Sequence, residues 1–375
     1  MKASQALLIA IVAVCAALVS APAGGETYWQ HDPATAGDWS VDANWSAGEP
    51  TAAGTAVIDN GGTASIAQAG EACATLGLGT GTADGGRVQM TGGSLASGAQ
   101  TIGGYGTGTF AQSGGTSAIA GDLDLGYRAG SRSSYELSGT GTLSAAAQYV
   151  GRGGAGRFSQ TAGHNAVGGD LHVGWGATGT GTYRLAGTGV LDVGDDEFIG
   201  YDGTGTFTQE AGDHNIDGEL FVAWNPDSRG TFDLSGGTLF VYWDASLGLD
   251  TNAVGVFNQT GGEFIIDDDL YVAYNVDSVG TYNLRGGTLE SDYQYISYDN
   301  NAVAIFNQTG GTNQHHPRRP RHRQLLDGQR RDVQAGRRRA DRGGRRVRRR
   351  GGRRHLQAEG GDPYRRGRPV PVLLL

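Results

Sequence analysis

Two clusters of carboxylates are the residues of this chain best suited to acid–base chemistry. One is Asp-Asp-Glu at residues 195–197, and the other is Asp-Asp-Asp at residues 267–269. Paired carboxylates act as acid, base or nucleophile in enzymes that cleave polysaccharides. Neither cluster has a basic residue or a histidine beside it at a repeated position. We therefore expect exposed loop or strand-edge acids, and we predict no catalytic residues.

The residues that could ligate a metal are three histidines and several oxygen-rich loops. His164 and His214 occupy the same place in successive sequence repeats, within AGHN and AGDHN, and His172 stands alone. Histidines without acidic partners at ligand spacing do not predict a metal site. Loops near residues 225, 250 and 275 are rich in oxygen but lack the fixed ligand spacing of a calcium loop. We predict no cofactor and no metal, with calcium in these loops as the alternative.

Four aromatic residues at regular intervals form the clearest candidate binding surface. They are Tyr127 in LDLGY, Trp175 in LHVGW, Trp224 in LFVAW and Tyr274 in LYVAY. Large rings at the polar edge of a strand can stack on sugars or on a partner protein. The alternative, which we favour, is a structural ladder packed against neighbouring loops. One ring every two coils predicts a separation of about 10 Å along a stack of strands.

An internal repeat positions all of these residues. The aromatic marker of the motif F-x-Q recurs at Phe110, Phe158, Phe207, Phe257 and Phe306, with spacings of 48, 49, 50 and 49. A half-step copy of the motif has its own marker near the middle of each interval, at Tyr135, Tyr183, Phe232 and Tyr282. The elementary unit is thus about 24–25 residues long, and it occurs in two alternating forms.

Each unit contains short alternating strands separated by glycine turns, and no sustained helical periodicity follows the first residues. Units this short cannot bury a core alone, but stacked units can. We predict an all-β parallel β-helix (β-solenoid) of about ten 24–25-residue coils over residues 54–314, with a β-propeller as the alternative. The marker phenylalanines should form an inward column, with glutamine on the opposite strand face. The Asn-Gln pairs at 258–259 and 307–308 should form amide ladders.

The two ends of the chain differ from the repeat array. Residues 1–23 have the basic start, apolar segment and small-x-small cleavage site of a signal peptide, after whose removal Cys73 is the only cysteine. Residues 24–53 contain Trp29, Trp39 and Trp45, half of the six tryptophans, and we predict that they cap the solenoid. No later segment could span a membrane as a helix.

Residues 315–375 form an arginine-rich tail of opposite charge. The 20 arginines after residue 314 leave 9 basic and 33 acidic residues in the rest of the chain, a balance of −24. An acidic body disfavours nucleic acid as a partner. With CGN arginine codons, reading the tail one base later permits N-T-I-L-G-D-L-V-I-G-N after TGGTN, close to SAIAGDLDLGY at residue 117. We predict that the tail is a frameshifted part of the array and is disordered as translated.

The motif G-T-(F/Y)-x-Q-x-G-G followed by (D/E)-L-x-(V/L), with W-x-x-x-x-N-W-x-x-G-x-P at residues 39–50, resembles exported bacterial repeat proteins. These are the autotransporter-associated β-strand repeat type and related surface β-solenoids, and the likeness covers residues 29–314. The resemblance implies a secreted or cell-surface, structural or adhesin-like protein without catalysis. The alternative is a β-helix that binds or processes carbohydrate through the aromatic row or the acidic clusters. Surface polysaccharides and other envelope proteins are the expected partners.

Overall fold

The computed structural model describes residues 24–81 and 85–315. They form 33 strands and one 3-10 turn at Asp42–Asn44. The predicted signal peptide at residues 1–23, and the arginine-rich tail from residue 316 onward, lie outside the described residues.

The strands, in chain order, are β1 (Glu26–Tyr28), β2 (Ala36–Asp38), β3 (Thr55–Ile58), β4 (Thr63–Ile66), β5 (Glu71–Leu78), β6 (Gly85–Met90), β7 (Ser94–Ile102), β8 (Thr107–Gln112), β9 (Thr116–Ile119), β10 (Asp122–Leu125), β11 (Arg132–Leu137), β12 (Thr142–Ala145), β13 (Ala147–Val150), β14 (Ala155–Gln160), β15 (His164–Val167), β16 (Leu171–Val173), β17 (Thr180–Leu185), β18 (Val190–Val193), β19 (Glu197–Ile199), β20 (Thr204–Gln209), β21 (Asp213–Ile216), β22 (Leu220–Val222), β23 (Arg229–Leu234), β24 (Thr238–Val241), β25 (Ala245–Leu247), β26 (Val254–Gln259), β27 (Glu263–Ile266), β28 (Leu270–Val272), β29 (Val279–Leu284), β30 (Thr288–Ser291), β31 (Gln294–Ile296), β32 (Val303–Gln308) and β33 (Thr312–His315).

The strands wind as a parallel β-solenoid, which confirms the predicted fold class. One sheet contains 12 strands, namely β2, β4, β6, β8, β11, β14, β17, β20, β23, β26, β29 and β32. We call these the long strands, and each belongs to a different coil. A second sheet of 21 strands bends around a corner, because each regular coil adds two short strands to it. The pairings between named strands are parallel, whereas the propeller considered as an alternative is an antiparallel architecture.

Alternation along the long strands places the marker rings inside. In β20 the buried residues are Gly205, Phe207 and Gln209, and the threonines between them are more exposed. Successive marker rings stack nearly parallel, with centroids 4.6–5.1 Å apart from Phe110 through to Phe306. The inward column predicted from the sequence is therefore confirmed, and the half-step rings fill every second place in it.

The glutamine of the F-x-Q motif also points inward, so the prediction that it faces outward is wrong. Phenylalanine and glutamine are two residues apart, and residues two apart share a strand face. Gln160 is fully buried, and its Nε2 donates to the carbonyl oxygens of Gly163 at 3.1 Å and Val190 at 2.8 Å. The side chain thus ties its own turn to the next coil, and Gln112, Gln209 and Gln259 repeat the arrangement.

The oxygen of the glutamine side-chain amide can accept a hydrogen bond from the marker ring of the following coil. The Tyr183 hydroxyl donates to Gln160 Oε1 at 2.7 Å, and Tyr135 and Tyr282 do the same for Gln112 and Gln259. The equivalent ring for Gln209 is Phe232, which has no hydroxyl. Gln209 Oε1 is buried without a hydrogen-bond partner among the described residues. One acceptor in this series therefore stays unsatisfied.

The predicted amide ladders form only from the asparagines. On the outer face of the long strands, Asn258 donates to Asp233, Asn283 to Asn258, and Asn307 to Asn283, at 2.8 to 2.9 Å. Gln259 is excluded from this ladder because it lies on the inner face.

The tryptophan-rich segment closes the amino-terminal end of the core. Strand β1 pairs with β3, and β2 pairs with β4, so this segment forms the first coil. Trp29, Trp39 and Trp45 are at most 3% exposed, and both ring contacts with Trp45 are edge-on at 4.9 Å. The Trp45 indole N–H donates to the Trp39 carbonyl at 2.8 Å.

Candidate functional site

The four predicted aromatic residues lie in one row on the outside of the solenoid. Each directly follows a corner residue of positive φ, which ends the second short strand of its coil. Gly174 has φ +79° before Trp175, and Ala223 has φ +66° before Trp224. The Trp224 N–H then donates to the Gly200 carbonyl of the preceding coil at 3.0 Å. The left-handed corner and this bond fix the place of each ring along the axis.

The row continues through the intervening coils, so its members lie closer together than the about 10 Å expected of the four predicted residues alone. Arg152, Tyr201, Leu249 and Tyr298 occupy the places between and after those four. Tyr201 lies 6.1 Å from Trp175 and 6.4 Å from Trp224 between ring centroids. The segment EFIGY at residue 197 parallels LHVGW at 171, which is the sequence signal for Tyr201. We call this set the loop row: Tyr127, Arg152, Trp175, Tyr201, Trp224, Leu249, Tyr274 and Tyr298.

A second row of rings lies beneath the loop row. We call it the strand row, and it consists of the outward residues Tyr149, His172, Phe198, Phe221, Ser246, Tyr271 and Tyr295 in register on successive strands. Loop-row rings cover it edge-on, with Phe221 and Trp224 centroids 4.1 Å apart at 76°. Phe198 and Phe221 are 7% and 5% exposed as a result, whereas Trp175, Tyr201 and Trp224 are half-buried.

His172 behaves as one of these rings and not as a metal ligand. It stacks on Tyr149 at 4.8 Å and on Phe198 at 4.9 Å, and it is 5% exposed. Burial, and secondarily the charge of Arg152, lowers the pKa of His172 to about 4. The imidazole is therefore neutral near pH 7 and serves the packing of the strand row.

Arg152 takes the place of a ring in the loop row. Its guanidinium carbon lies 5.2 Å from the Tyr127 centroid and 5.6 Å from that of Trp175. Its Nη1 is 2.6 Å from an oxygen of Asp124. A cation between two rings is stabilised by the ring quadrupoles, and here the buried carboxylate of Asp124 also neutralises it. Arg152 thus joins Tyr127 to Trp175 within the packed loop row.

The acidic clusters lie at a neighbouring corner, and the prediction that they are exposed needs correction. Asp195 and Asp267 are exposed, but Asp196, Asp268 and Asp269 are half-buried, and Glu197 is fully buried. The corner carries an acid on five successive coils, just before the second short strand. We call it the acid row: Asp170, Asp196, Glu219, Asp244 and Asp269.

Backbone hydrogen bonds hold the acid row in place. The N–H of Glu219 donates to Asp196 at 2.9 Å, and the N–H of Asp269 donates to Asp244 at 3.0 Å. Like charges one strand spacing apart repel each other. Burial, followed by the charges of Asp268 and Asp244, raises the pKa of Asp269 from 3.8 to about 7. Asp269 therefore holds a proton at pH values where an isolated aspartate has lost it.

Within the described residues, the carboxylates that converge closely enough to hold a cation are Asp170, Asp195 and Asp196, and Asp244, Asp268 and Asp269. In each group one oxygen per residue lies within 4.8 Å of the others. Hard oxygen ligands of this kind suit calcium. The loops near residues 225, 250 and 275, named from the sequence, are instead tight turns with positive φ at Asp227, Asn252 and Asp277.

His214 and His164 do not occupy equivalent places, contrary to the prediction. Asn165 is in register, through Leu191, with His214, whereas His164 aligns with Asp213. The extra residue in AGDHN moves the histidine by one position and so turns it from the outer to the inner face. Nor are these histidines without acidic partners. His164 contacts the Asp192 carboxylate at 2.8 Å, and His214 contacts Glu197 at 2.7 Å with both side chains fully buried.

The His214–Glu197 contact belongs to a series of inward polar pairs, all buried except the last, that sequence reasoning missed. Each pair joins the second short strand of one coil to the first short strand of the next. In one unit Ala245 and Phe264 replace the polar pair, and both are fully buried. The available signal was that polar residues recur at the spacing of the F-x-Q motif. The series is Gln100–Ser117, Gln148–Asn165, Glu197–His214 and Gln294–Asn313, at 2.7 to 3.3 Å.

Comparisons with protein-family models, with curated proteins and with solved structures give no match for this chain. In the parts of the chain that the structure describes, no helix has the length and hydrophobicity required to cross a membrane.

The acid row generates a prediction about pH. Because the folded-state pKa of Asp269 is raised, the folded chain binds more protons than the unfolded chain between about pH 4 and pH 7. Its contribution to stability therefore falls as pH rises through this window. We expect Asp269→Asn to match the wild type at pH 4 and to be more stable by about 1 kcal/mol at pH 8, since the carboxyl is only half-buried.

Urea denaturation at pH 4, 6 and 8 measures this difference. Asp213→Asn, which removes an exposed acid from β21, controls for the loss of one surface charge. A difference between Asp269→Asn and the wild type that does not change with pH would contradict the assignment.

Proposed function

We propose that this chain is an exported structural or adhesin-like repeat protein of the bacterial cell surface, which acts by presenting its side faces and not by catalysis. The observation that carries the proposal is the outer surface, where like groups follow one another on successive coils. The loop row, the acid row and the asparagine ladder each extend over several coils. A surface of this kind offers many equivalent contacts to an extended partner.

The places of the carboxylates support a role without catalysis. Of the two acidic clusters, Glu197 is used inside the core and Asp196 accepts a backbone N–H. Asp269 accepts the N–H of Tyr293 at 3.1 Å. These groups serve the packing of the corner, and each backbone hydrogen bond has its counterpart in another coil. Repetition of one contact along the array is expected of a structural device.

Export rests on the sequence of residues 1–23 and agrees with the cysteine content. Cys73 is fully buried, and burial raises the pKa of its thiol to about 12, so it is unreactive at neutral pH. The stability of the described coils comes from ladder hydrogen bonds and inward stacking. This suits a protein that works outside the cytoplasm without disulfides.

Surface exposure of the full-length chain tests the proposal. Expressed in a Gram-negative bacterium, the chain should lose residues 1–23 and should be degraded by protease added to intact cells, or be recovered from the medium. A chain without the leader should stay inside the cell and be protected. Unprocessed full-length chain confined to the cytoplasm would contradict the proposal.

The second candidate function is carbohydrate binding by the loop row. The contiguous half-buried rings Trp175, Tyr201 and Trp224 favour it, because aromatic rings contact the apolar faces of sugars. The orientation of these rings argues against carbohydrate binding. The rings of Trp175 and Trp224 lie within 14° of parallel to that of Tyr201, so these faces point at one another more than at solvent.

Trp224→Leu separates the two functions, because Leu249 already fills the same place in the next coil. We expect a loss of about 1–2 kcal/mol in stability from the smaller side chain. Carbohydrate binding through the row predicts at least about tenfold weaker binding of soluble polysaccharide by the variant. Our proposal predicts no such loss on a glycan array. Trp243→Leu, a tryptophan outside the loop row, is the matched control.

A further inference from the structure

Strand β32, the last long strand that the structure describes, is built like a strand from the middle of the array. Its residues Ala304, Phe306 and Gln308 align with the inward residues Gly280, Tyr282 and Leu284 of β29. The sequence VAIFNQTGG matches VGVFNQTGG at residue 254 almost residue for residue. The strand therefore carries the side chains that other coils use to contact the coil on either side.

Among the described residues, no strand pairs with β32 on the side that faces away from β29. Phe306 stacks on Tyr282 at 5.1 Å and is partly buried, whereas Tyr282 itself stacks on both sides and is fully buried. Gln308 is exposed, although Gln259 at the same place is fully buried. Inward residues of this type are stable in water only when another coil covers them.

Among the described residues, Gln308 makes fewer side-chain hydrogen bonds than the earlier glutamines of its series. Each earlier glutamine of this series donates to the glycine carbonyl three residues later and to a carbonyl 29 or 30 residues later. Gln308 makes the first bond, to Gly311 at 3.3 Å. The second acceptor would belong to a following coil. A side-chain amide that bridges two coils elsewhere in the array thus contacts one coil here within the described residues.

The opposite end of the solenoid is finished differently. There, Trp39 is fully buried and Trp29 and Trp45 are 3% exposed, so large rings close the core. Val303 and Ile305, on the outer face of β32, are 52% and 43% exposed, whereas Val254 and Val256 at the same places in β26 are half-buried. An exposed apolar strand edge templates the pairing of further strands. Tryptophan rings cover the core at the amino-terminal end. The exposed side chains of β32 are instead suited to pairing with a further strand.

Back-translation of the residues beyond 313 supplies a second argument, from the amino-acid sequence alone. Read one base later with CGN arginine codons, residues 331–348 permit G-T-Y-K-L-G-G-G-E-L-T-V-G-G-D-E-Y-V. The first part parallels GTYNLRGGTLE at residue 280, and the last part parallels GDDEFI at residue 194. Residues 314–324 in the same frame permit N-T-I-L-G-D-L-V-I-G-N, which resembles the short strand GDLDLG at residue 121. The order of these pieces is the order of one coil and its successor.

We propose that β32 is an interior strand of the array and that its partner is a thirteenth long strand, G-T-Y-K-L, encoded by these codons in the shifted frame. The shifted reading places a coil of the half-step form after the F-x-Q coil, as in the earlier units, with its tyrosine 27 residues after Phe306 where the earlier spacing is 25. The new tyrosine hydroxyl donates to Gln308 Oε1, as Tyr282 does to Gln259 at 2.6 Å. The strand after it accepts from Gln308 Nε2. The inference is independent of whether the solenoid binds carbohydrate or protein.

Hydrogen exchange on two full-length chains tests the proposal, one as translated here and one with the shifted frame restored after residue 313. In the restored chain the amides of β32 should exchange at least about 100-fold more slowly, as core strands do relative to fraying ends. Amides of β20 should be unchanged in both chains and serve as the internal control. Resequencing of the gene should show one or two misplaced bases near codon 314.

Two results overturn the proposal. The first is a resequenced gene that shows no misplaced base near codon 314 and retains the present reading frame. The second is a restored chain in which β32 exchanges as fast as in the chain as translated. Protection of β32 in the chain as translated that rises with protein concentration would identify a second copy as the partner, and would also overturn the proposal.

Discussion

In-register stacking of parallel strands is the constraint on which the rest of this structure depends. Neighbouring strands are about 4.8 Å apart, so each inward side chain meets its counterparts in the coils above and below. Flat rings satisfy this distance by stacking face to face, and nine of them do so from Phe110 to Phe306. Each such contact adds about 0.5–1.5 kcal/mol to the burial of the ring. Stability therefore grows coil by coil.

The same constraint governs polar groups inside the solenoid. A buried donor or acceptor has only its neighbours along the stack to satisfy it, and an unsatisfied one costs about 1–3 kcal/mol. The Gln148–Asn165 pair meets this requirement with two hydrogen bonds. The Glu197–His214 pair in the following unit meets it only in part, because Glu197 Oε1 and His214 Nδ1 have no partner among the described residues. Where Phe264 replaces the second member, Ala245 replaces the first, so a large apolar residue is matched with a small one. The exposed polar groups of the outer rows can be hydrated, so this constraint does not apply to them.

The sequence predicted the coil length, the parallel solenoid and the inward ring column, because these follow from the regular spacing of the markers and from period-two alternation. The sequence-based prediction was wrong where a shift of one residue changes the strand face on which a side chain lies. Gln160 shares the face of Phe158, and the added Asp213 turns His214 inward. Four of the eight loop-row residues were predicted from the sequence. Tyr201 was not among them, because it becomes a neighbour of Trp175 only when the chain has wound into coils. The pKa of Asp269 depends in part on Asp244 from an adjacent coil, which no local motif contains.

Adding one oxygen atom to the core tests the stacking account most directly. Phe232 stands where Tyr183 and Tyr282 donate to a buried glutamine, and it leaves Gln209 Oε1 without a partner among the described residues. In thermal and urea denaturation, Phe232→Tyr should stabilise the chain by about 1 kcal/mol, and the control Tyr183→Phe should destabilise it by about 1–3 kcal/mol. A destabilised Phe232→Tyr variant, or a Tyr183→Phe variant as stable as the wild type, would contradict the account.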